Sequence, residues 1–384
     1  MLFLILFLLL VFFLIVEKIL HERRLERIPV RIHVNGTRGK SSVTRLVSAL
    51  LRENGIRTLA KTTGTLPRLI YPDGREEILP RRGTTRIQEQ IRLIQKAAQM
   101  KVQAVVVECM AIDPQLQEAS ETRMVRSTLG VITNVRPDHF EVMGGNLDDI
   151  ASALSRTIPR EGILVTGDHS YFNFFARLGA EKKSKVILTR ALDLPQGPSP
   201  APLFIFQDNL AIAAEVCVHL GIHPSFPPGF GMDRLAGESS CRICRIKKDD
   251  RTLHFVDAFS ANDIVSTQHI LQMSLVPCPR PYIALLNNRA DRPLRMVSFA
   301  TFLAEETIYD YILLVGDLRR MARKHIRKGP HQKEILVLGE TNPERLLARI
   351  FQKVPFAEFT VIGIGNDKGM GEKFSRFLLD REEK

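Results

Sequence analysis

The sequence predicts an α/β protein: a P-loop-type doubly wound domain, a smaller Rossmann-like α/β domain after it, and a transmembrane helix in front of both. Three observations lead there. The chain opens on sixteen residues without a charge, short β-branched runs then alternate with amphipathic segments, and a glycine-rich turn joins the first of those strands to a helix.

The opening run "MLFLILFLLLVFFLIV" spans ~24 Å as a helix, a little under a ~30 Å hydrocarbon core. Ile19 and Leu20 extend its apolar face, and Lys18 reaches toward the headgroups on its flexible stem. A cleaved leader would carry a basic start. Here Lys18, Arg23, Arg24 and Arg27 all follow the run, a charge bias that leaves the rest of the chain in the cytoplasm. The expectation is a single-pass cell-membrane protein anchored through residues 1–20, with its folded domains cytoplasmic. The alternative is an apolar helix packed on a partner subunit.

Past Pro29 the strand-like runs are "VRIHVN", "AVVVECM", "LGVITNV", "GILVTGD" and "KVILTR". Apolar runs without alternation suit parallel strands buried on both faces. Between the first two lies "TTRIQEQIRLIQKAAQM", where Ile87, Ile91, Ile94 and Ala98 recur at helical spacing. Proline-rich stretches at 194–202 and 223–231 bracket the helix "DNLAIAAEVCVHLG". The alternation restarts with "PYIALLNN", "YDYILLVGD", "EILVLGE" and "FTVIGIGN". These patterns predict one domain over 28–250 and a second over 251–384.

A chain of 384 residues with 45% hydrophobic content is long enough for two cores and too apolar for disorder. Its formal charge of +12 favours an anionic partner, which by charge alone could be nucleic acid, acidic lipid or an acidic substrate. Five cysteines, odd in number and mostly in apolar runs, point to a reducing compartment rather than a disulfide framework. Cys241 and Cys244 form a lone CxxC whose alternation reads as a strand rather than a zinc site. The segment 318–333, "LRRMARKHIRKGPHQK", holds seven Lys and Arg and no acid. It reads as an exposed basic helix, or as a track for a polyanionic chain or acidic lipid.

The chemistry gathers at "NGTRGKSS", residues 35–42. A Walker A loop would place its first glycine at 34, which is Val34, so the match is imperfect. The stretch nonetheless follows a strand and opens a helix, where backbone amides and the helix dipole hold phosphate. Gly36 and Gly39 let the backbone close on the anion, Lys40 reaches the terminal phosphates, and the Ser41 hydroxyl suits Mg²⁺. Arg38 falls at a variable position of such a loop. Glu108 ends a buried strand, the place from which a carboxylate beside a phosphate loop holds the metal. Thr133, Asn134, Asp138 and His139, in "TNVRPDHFEVMG", follow another strand end, so all three stretches converge on one sheet edge.

"NGTRGKSS", the strand ending in Glu108, "TNVRPDH", "FQDNLAIAA" and "DAFSAND" stand in the order seen in Mur-type ATP-dependent amide ligases, which include folylpolyglutamate synthase. With the N-terminal anchor, "KTTGT", "ECMA", "DHFEVMG" and "NNRADR", the chain resembles most the ligase subunit of poly-γ-glutamate synthases, over nearly its whole length. The resemblance implies ATP and Mg²⁺ as cofactors, activation of a carboxylate as an acyl phosphate, and addition of glutamate to poly-γ-glutamate. Gly36, Thr37, Gly39, Lys40 and Ser41 would hold the triphosphate. Ser41, Glu108 and His139 would serve the magnesium ions, with Lys40, Glu108 and His139 catalytic. Asn209 would contact adenine, and Arg242 and Asp257 would bind nucleotide. Asn262 and Asp263 match the motif that opens the C-terminal domain of such ligases and stand as substrate candidates.

Arg289 and Arg292 in "NNRADRPLRM" are candidates for the acceptor carboxylate, as are Arg295, Arg81, Arg82 and Arg86, because arginine pairs with carboxylate in two-pronged fashion. As partners the resemblance implies small membrane subunits of a synthase or export complex at the cytoplasmic membrane, and no nucleic acid; homo-oligomerisation stays open. The sequence departs from the pattern in one respect: many Mur ligases carry a carbamylated lysine shortly after the Asp-His loop, and "EVMGGNLDDIASALSRTIPR" has no lysine. Two other readings remain, a membrane-associated ligase of the same type with another carboxylate substrate, and a P-loop ATPase of an export complex.

Overall fold

The computed structural model describes residues 1–63, 67–79, 86–190, 207–224, 243–261, 263–274 and 278–381. These fall into two compact units, one holding the described residues up to 224 and the other those from 243 onward.

In the first unit the parallel core strands are β1 (Val30–Asn35), β5 (Ala104–Glu108), β6 (Leu129–Ile132), β7 (Ile163–Thr166) and β8 (Lys185–Leu188). β2 (Thr58–Lys61), β3 (Arg68–Ile70) and β4 (Glu76–Ile78) complete the sheet, in the order β4-β3-β2-β5-β1-β6-β7-β8. β2 runs parallel to β5, while β3 and β4 are antiparallel and went unread in the sequence because they are only three residues long and partly charged. Ending the sheet on a short acidic strand blunts its edge against pairing with another chain. β5 is buried along its whole length, as expected of a central parallel strand.

Helix α2 (Lys40–Glu53) follows β1 and lays Val43, Leu46, Val47, Leu50 and Leu51 on the sheet. Helix α3 (Glu89–Gln99) buries Ile94 and Ala98 of the predicted row together with Gln90, Leu93 and Ala97, while Ile87 and Ile91 are only partly buried. A polar residue shares that face: the Ser120 hydroxyl donates to Gln90 Oε1, so a buried glutamine occupies a core position that apolar counting passes over. Beneath the same layer His33 of β1 is fully buried against Glu121, Nδ1 to Oε2 2.8 Å. Burial opposes its charge, yet Cys109 and Glu121 pull its pKa up to about 10.

Helix α1 (Leu2–Glu26) is the one helix among the described residues long and apolar enough to cross a bilayer. Its outer part is exposed along nearly its whole girth, but its root is not. His21 Nε2 donates to the Met124 carbonyl at 2.9 Å, Leu25 and Ile28 join a cluster with Leu93, Ile94 and Val125, and Arg31 Nη1 donates to the Ile28 carbonyl at 2.7 Å. The helix is therefore seated in the first unit without a flexible joint.

The second unit orders its strands β13-β12-β11-β14-β10-β9, with β9 Ile243–Lys248, β10 Arg251–Asp257, β11 Tyr282–Asn288, β12 Tyr311–Gly316, β13 Glu334–Val337 and β14 Glu358–Gly365. All pair in parallel except β9, which forms a hairpin with β10. The second unit thus takes in strand residues that the sequence reading assigned to the first, because a two-residue turn at 249–250 ties β9 to its partner. Cys244 is buried on β9; Cys241 lies outside the described residues.

The root of α1 generates a length-dependent prediction. Deleting residues 1–20 leaves His21 and Leu25 in place and should give a folded protein that no longer sediments with membranes. Deleting residues 1–27 also removes the Leu25 side chain from the core and should cost about 2–5 kcal/mol, read as a lowered midpoint in urea. Equal midpoints for the two truncations would show that the root contributes nothing.

Candidate active site

β5, β1 and β6 lie side by side in register, with Val34 opposite Glu108 and Asn35 opposite Ile132. Their C-terminal ends therefore bring three sequence-distant stretches to one edge, the binding edge of open α/β sheets. Four residues, Gly36 to Gly39, separate β1 from α2. Gly36 has φ +129°, and a Cβ there would lie 2.0 Å from Thr133 Oγ1. Gly39 has φ +81°, and its Cβ would lie 2.4 Å from Asn209 Oδ1. Conformation and space both demand glycine at these two positions.

The loop is stitched to the turn after β6. Asn134 Oδ1 accepts from Thr37 Oγ1 at 2.8 Å and from the Arg38 amide at 3.1 Å, while its backbone carbonyl accepts the Thr37 amide at 3.1 Å. Thr133 Oγ1 donates to the Arg38 carbonyl at 2.6 Å, and the Arg136 amide donates to Thr37 Oγ1 at 2.8 Å. Arg38 Nη1 then reaches Asp138 Oδ2 at 2.7 Å. Burial pushes the Asp138 carboxyl up, but Arg38, with His139 and Lys40, outweighs it and holds the group below its ordinary value. Arg38 is thus a strap between the two loops, not the indifferent position that the motif pattern suggests.

Lys40 opens α2, and its Nζ donates to the Gly36 carbonyl at 2.6 Å, lying across the loop. Ser41 Oγ donates to Glu108 Oε2 at 2.8 Å, and the Thr63 amide donates to the same oxygen at 2.7 Å. Glu108 is only 3% exposed, so its carboxylate is aimed by two donors in a nearly dry setting. A serine hydroxyl and a carboxylate are hard oxygen donors of the kind that hold Mg²⁺ together with phosphate oxygens and water.

His139, expected beside them, takes a left-handed φ of 45° and puts Nδ1 3.2 Å from Glu141 Oε1 and Nε2 3.9 Å from Asp138 Oδ1. It joins the Asp138 loop rather than Ser41 and Glu108. Among the described residues no three His, Cys, Asp or Glu side chains stand together as a ready metal cage.

Asn209, on helix α4 (Gln207–His219), is buried against Gly39, which places it at the Gly36–Gly39 loop itself. In the second unit Asp257 closes β10, its Oδ1 accepting from the Phe259 amide at 3.2 Å. Asp263 caps the helix Ile264–Ser274, accepting from the Ser266 amide at 2.9 Å and the Ser266 hydroxyl at 2.8 Å. Arg289 pairs with Asp291 through both Nε (2.9 Å) and Nη2 (2.6 Å). Arg292 sits at the N-cap of the helix Pro293–Glu305, and Arg295 Nη1 meets Asn366 Oδ1 at 3.0 Å. Arg242, Asn262, Arg81 and Arg82 lie outside the described residues.

A glycine-cradled loop with a lysine across it and a serine–carboxylate pair beneath it, on a doubly wound sheet followed by a second α/β unit, defines the Mur ligase class. The family profile of the Mur ligase middle domain matches residues 34–193, and that of the poly-gamma-glutamate synthase CapB C-terminal domain matches residues 243–381. The capsule biosynthesis protein CapB of Bacillus anthracis is 30% identical over 379 residues, covering 95% of this chain and 80% of that protein. The PGA synthase CapB of Bacillus subtilis (strain 168) is 32% identical over 370 residues, covering 93% and 92%. A bifunctional folylpolyglutamate synthase/dihydrofolate synthase solved with Mn, AMPPNP and L-glutamate bound superposes with a TM-score of 0.62 at 14% identity, over 94% of this chain and 93% of that one. The chain belongs to the CapB family of poly-γ-glutamate synthases, and is an ATP-dependent amide ligase.

Three substitutions separate the role of Lys40 from that of the strap. Lys40→Ala should lower ATP turnover by about 10²-fold or more while a nonhydrolysable ATP analogue still binds within about tenfold, since a cation aimed at the transferring phosphoryl group acts mainly in the transition state. Arg38→Ala should weaken analogue binding through a loosened loop, and Asp138→Ala should do the same. Equal, mild losses of turnover at Lys40 and Arg38 would reduce the stretch to a structural turn.

Proposed function

We propose that this chain extends poly-γ-glutamate by phosphorylating the terminal carboxylate of the growing chain and condensing it with the amine of an incoming glutamate. The observation that carries the residue assignment is the Ser41–Glu108 pair set directly under the Gly36–Lys40 loop. A carboxylate resists amines because its leaving group would be oxide. An oxygen of that carboxylate attacks the γ-phosphorus of ATP, and the bond to ADP breaks. The neutral amine then attacks the acyl carbon, and inorganic phosphate departs with the former carboxylate oxygen.

In this reading the loop amides and Lys40 bind the triphosphate, Lys40 exchanging its bond to the Gly36 carbonyl for phosphate oxygen. Mg²⁺, when bound, would neutralise charge on the phosphates. Ser41 and Glu108 would hold it, and Thr63 keeps the carboxylate aimed. Asn134 and Asp138 position Thr37 and Arg38 so that the loop is formed before nucleotide arrives. That preorganisation is where electrostatic catalysis gains most. The Mn, AMPPNP and L-glutamate in the folylpolyglutamate synthase structure support a nucleotide, a divalent ion and glutamate as the ligand set.

The same reading places the two α/β units on the cytoplasmic side of the cell membrane, held by α1 as a single-pass anchor and served by small membrane subunits. The basic flank Lys18, Arg23, Arg24 and Arg27 supports that orientation.

The purified chain should release ADP only when both glutamate and a poly-γ-glutamate acceptor are present. ADP release that ignores glutamate would favour an export-type ATPase, and release supported only by another carboxylic acid would move the substrate elsewhere within the ligase class.

A further inference from the structure

The basic segment 318–333 is left unused by the phosphoryl-transfer site, and its residues divide by role. Lys333 is structural: its Nζ donates to the Leu303 carbonyl at 2.8 Å and to the Glu306 carbonyl, closing the end of the helix Pro293–Glu305. Arg319 is structural too, its Nη1 donating to the Leu338 carbonyl at 2.8 Å. The helix Arg319–Ile326 buries Ala322 and Ile326. That leaves Arg320, Lys324, Arg327 and Lys328 exposed, at a spacing that lines them along one solvent face.

Arg319 leads from this helix to a recess. Its Nη1 lies 3.7 Å from where a Cβ on Gly339 would sit. Gly339, Glu340 and Thr341, just beyond edge strand β13, form one wall of a cavity of about 580 Å³, and Arg345 and Arg349 form the other. Arg349 is committed, with Nε 3.5 Å from Glu340 Oε1 and Nη1 2.6 Å from Gln352 Oε1. Arg345 has no side-chain ion pair among the described residues. One edge of the second unit therefore offers an exposed arginine on the wall of a recess, beside a row of exposed cations.

We propose that this edge is a holding site for poly-γ-glutamate already made, distinct from the phosphoryl-transfer site, with Arg345 taking one free α-carboxylate in the recess and Arg320, Lys324 and Arg327 pairing with others along the helix. The proposal rests on the polymer reading above and adds to it a means of retaining the chain between additions. Carboxylate is the favoured ligand because a planar fork pairs with it through two parallel bonds, and because the polymer repeats one carboxylate per residue against repeated cations. A flat lipid surface would meet the helix face but leave the recess unfilled.

The test uses the full-length protein in detergent, with Arg345→Glu and the triple change Arg320→Ala, Lys324→Ala, Arg327→Ala. Fluorescein-labelled poly-γ-glutamate is titrated by anisotropy, and KM for a long polymer acceptor is compared with KM for a two-residue γ-glutamyl acceptor. Both variants should bind the polymer about tenfold or more weaker, a loss of about 1.4 kcal/mol, and raise KM for the long acceptor while kcat and the short-acceptor KM stay within about twofold. Unchanged polymer affinity in both variants would overturn the proposal. So would intact polymer binding with lost binding to phosphatidylglycerol vesicles, which would make the edge a lipid contact. If the unmodified protein makes no ADP with any glutamyl acceptor, the ligase reading fails, while the anisotropy titration still decides whether the edge binds the polymer.

Discussion

Asn134 holds the Gly36–Gly39 loop in shape, and the placing of Lys40 and Ser41 behind that loop follows from this one side chain. Its amide accepts from Thr37 and Arg38 and donates to the Arg38 carbonyl at 3.2 Å, so a single group satisfies three loop partners. A loop with two positive-φ glycines is otherwise a floppy element, since glycine loses more freedom on ordering than any other residue. Losing one such buried bond costs about 1–3 kcal/mol when a partner is left unsatisfied, enough to shift a loop between formed and unformed. With the loop fixed, Lys40 lies over it and Ser41 falls within 2.8 Å of Glu108. The register of β1 between β5 and β6 supplies the rest, because it sets the heights at which Asn35, Glu108 and Ile132 end their strands.

Much of this was legible in the sequence because it is written locally. Strands without alternation, a glycine pair before a lysine and serine, and an acid ending a buried strand are all short-range signals, and each came out where expected. Contacts across the chain are not written that way. The Arg38–Asp138 pair joins residues a hundred positions apart, and nothing near Arg38 marks it as other than a variable loop residue. Asn134 looked like part of a strand-end motif, but its role depends on where Thr37 lies in space. His139 carries a contact of the same kind: its left-handed backbone turns the ring toward Glu141, which its place after an aspartate does not announce.

Helix α3 and the second unit show polar contacts that short-range patterns do not carry. Counting apolar residues finds Ile94 and Ala98 of the buried face, but not Gln90 beside them, whose Oε1 accepts from the Ser120 hydroxyl. Asp263 sits in a motif that suggests substrate, and its carboxylate is engaged in capping a helix. Arg289 is similarly tied to Asp291. In the basic segment, composition gave seven equal cations; hydrogen bonding separates Arg319 and Lys333, which hold the fold, from those that face solvent.

Phosphoryl transfer from this loop onto a carboxylate is tested most directly by isotope transfer. A γ-glutamyl acceptor labelled with ¹⁸O in its terminal carboxylate is incubated with ATP, Mg²⁺ and glutamate, and the inorganic phosphate is analysed by mass spectrometry. One ¹⁸O in each released phosphate is the predicted result, because the acceptor oxygen leaves with the phosphoryl group when the amine attacks. Unlabelled phosphate released in step with ADP would mean that ATP is hydrolysed by water and that the carboxylate is never phosphorylated.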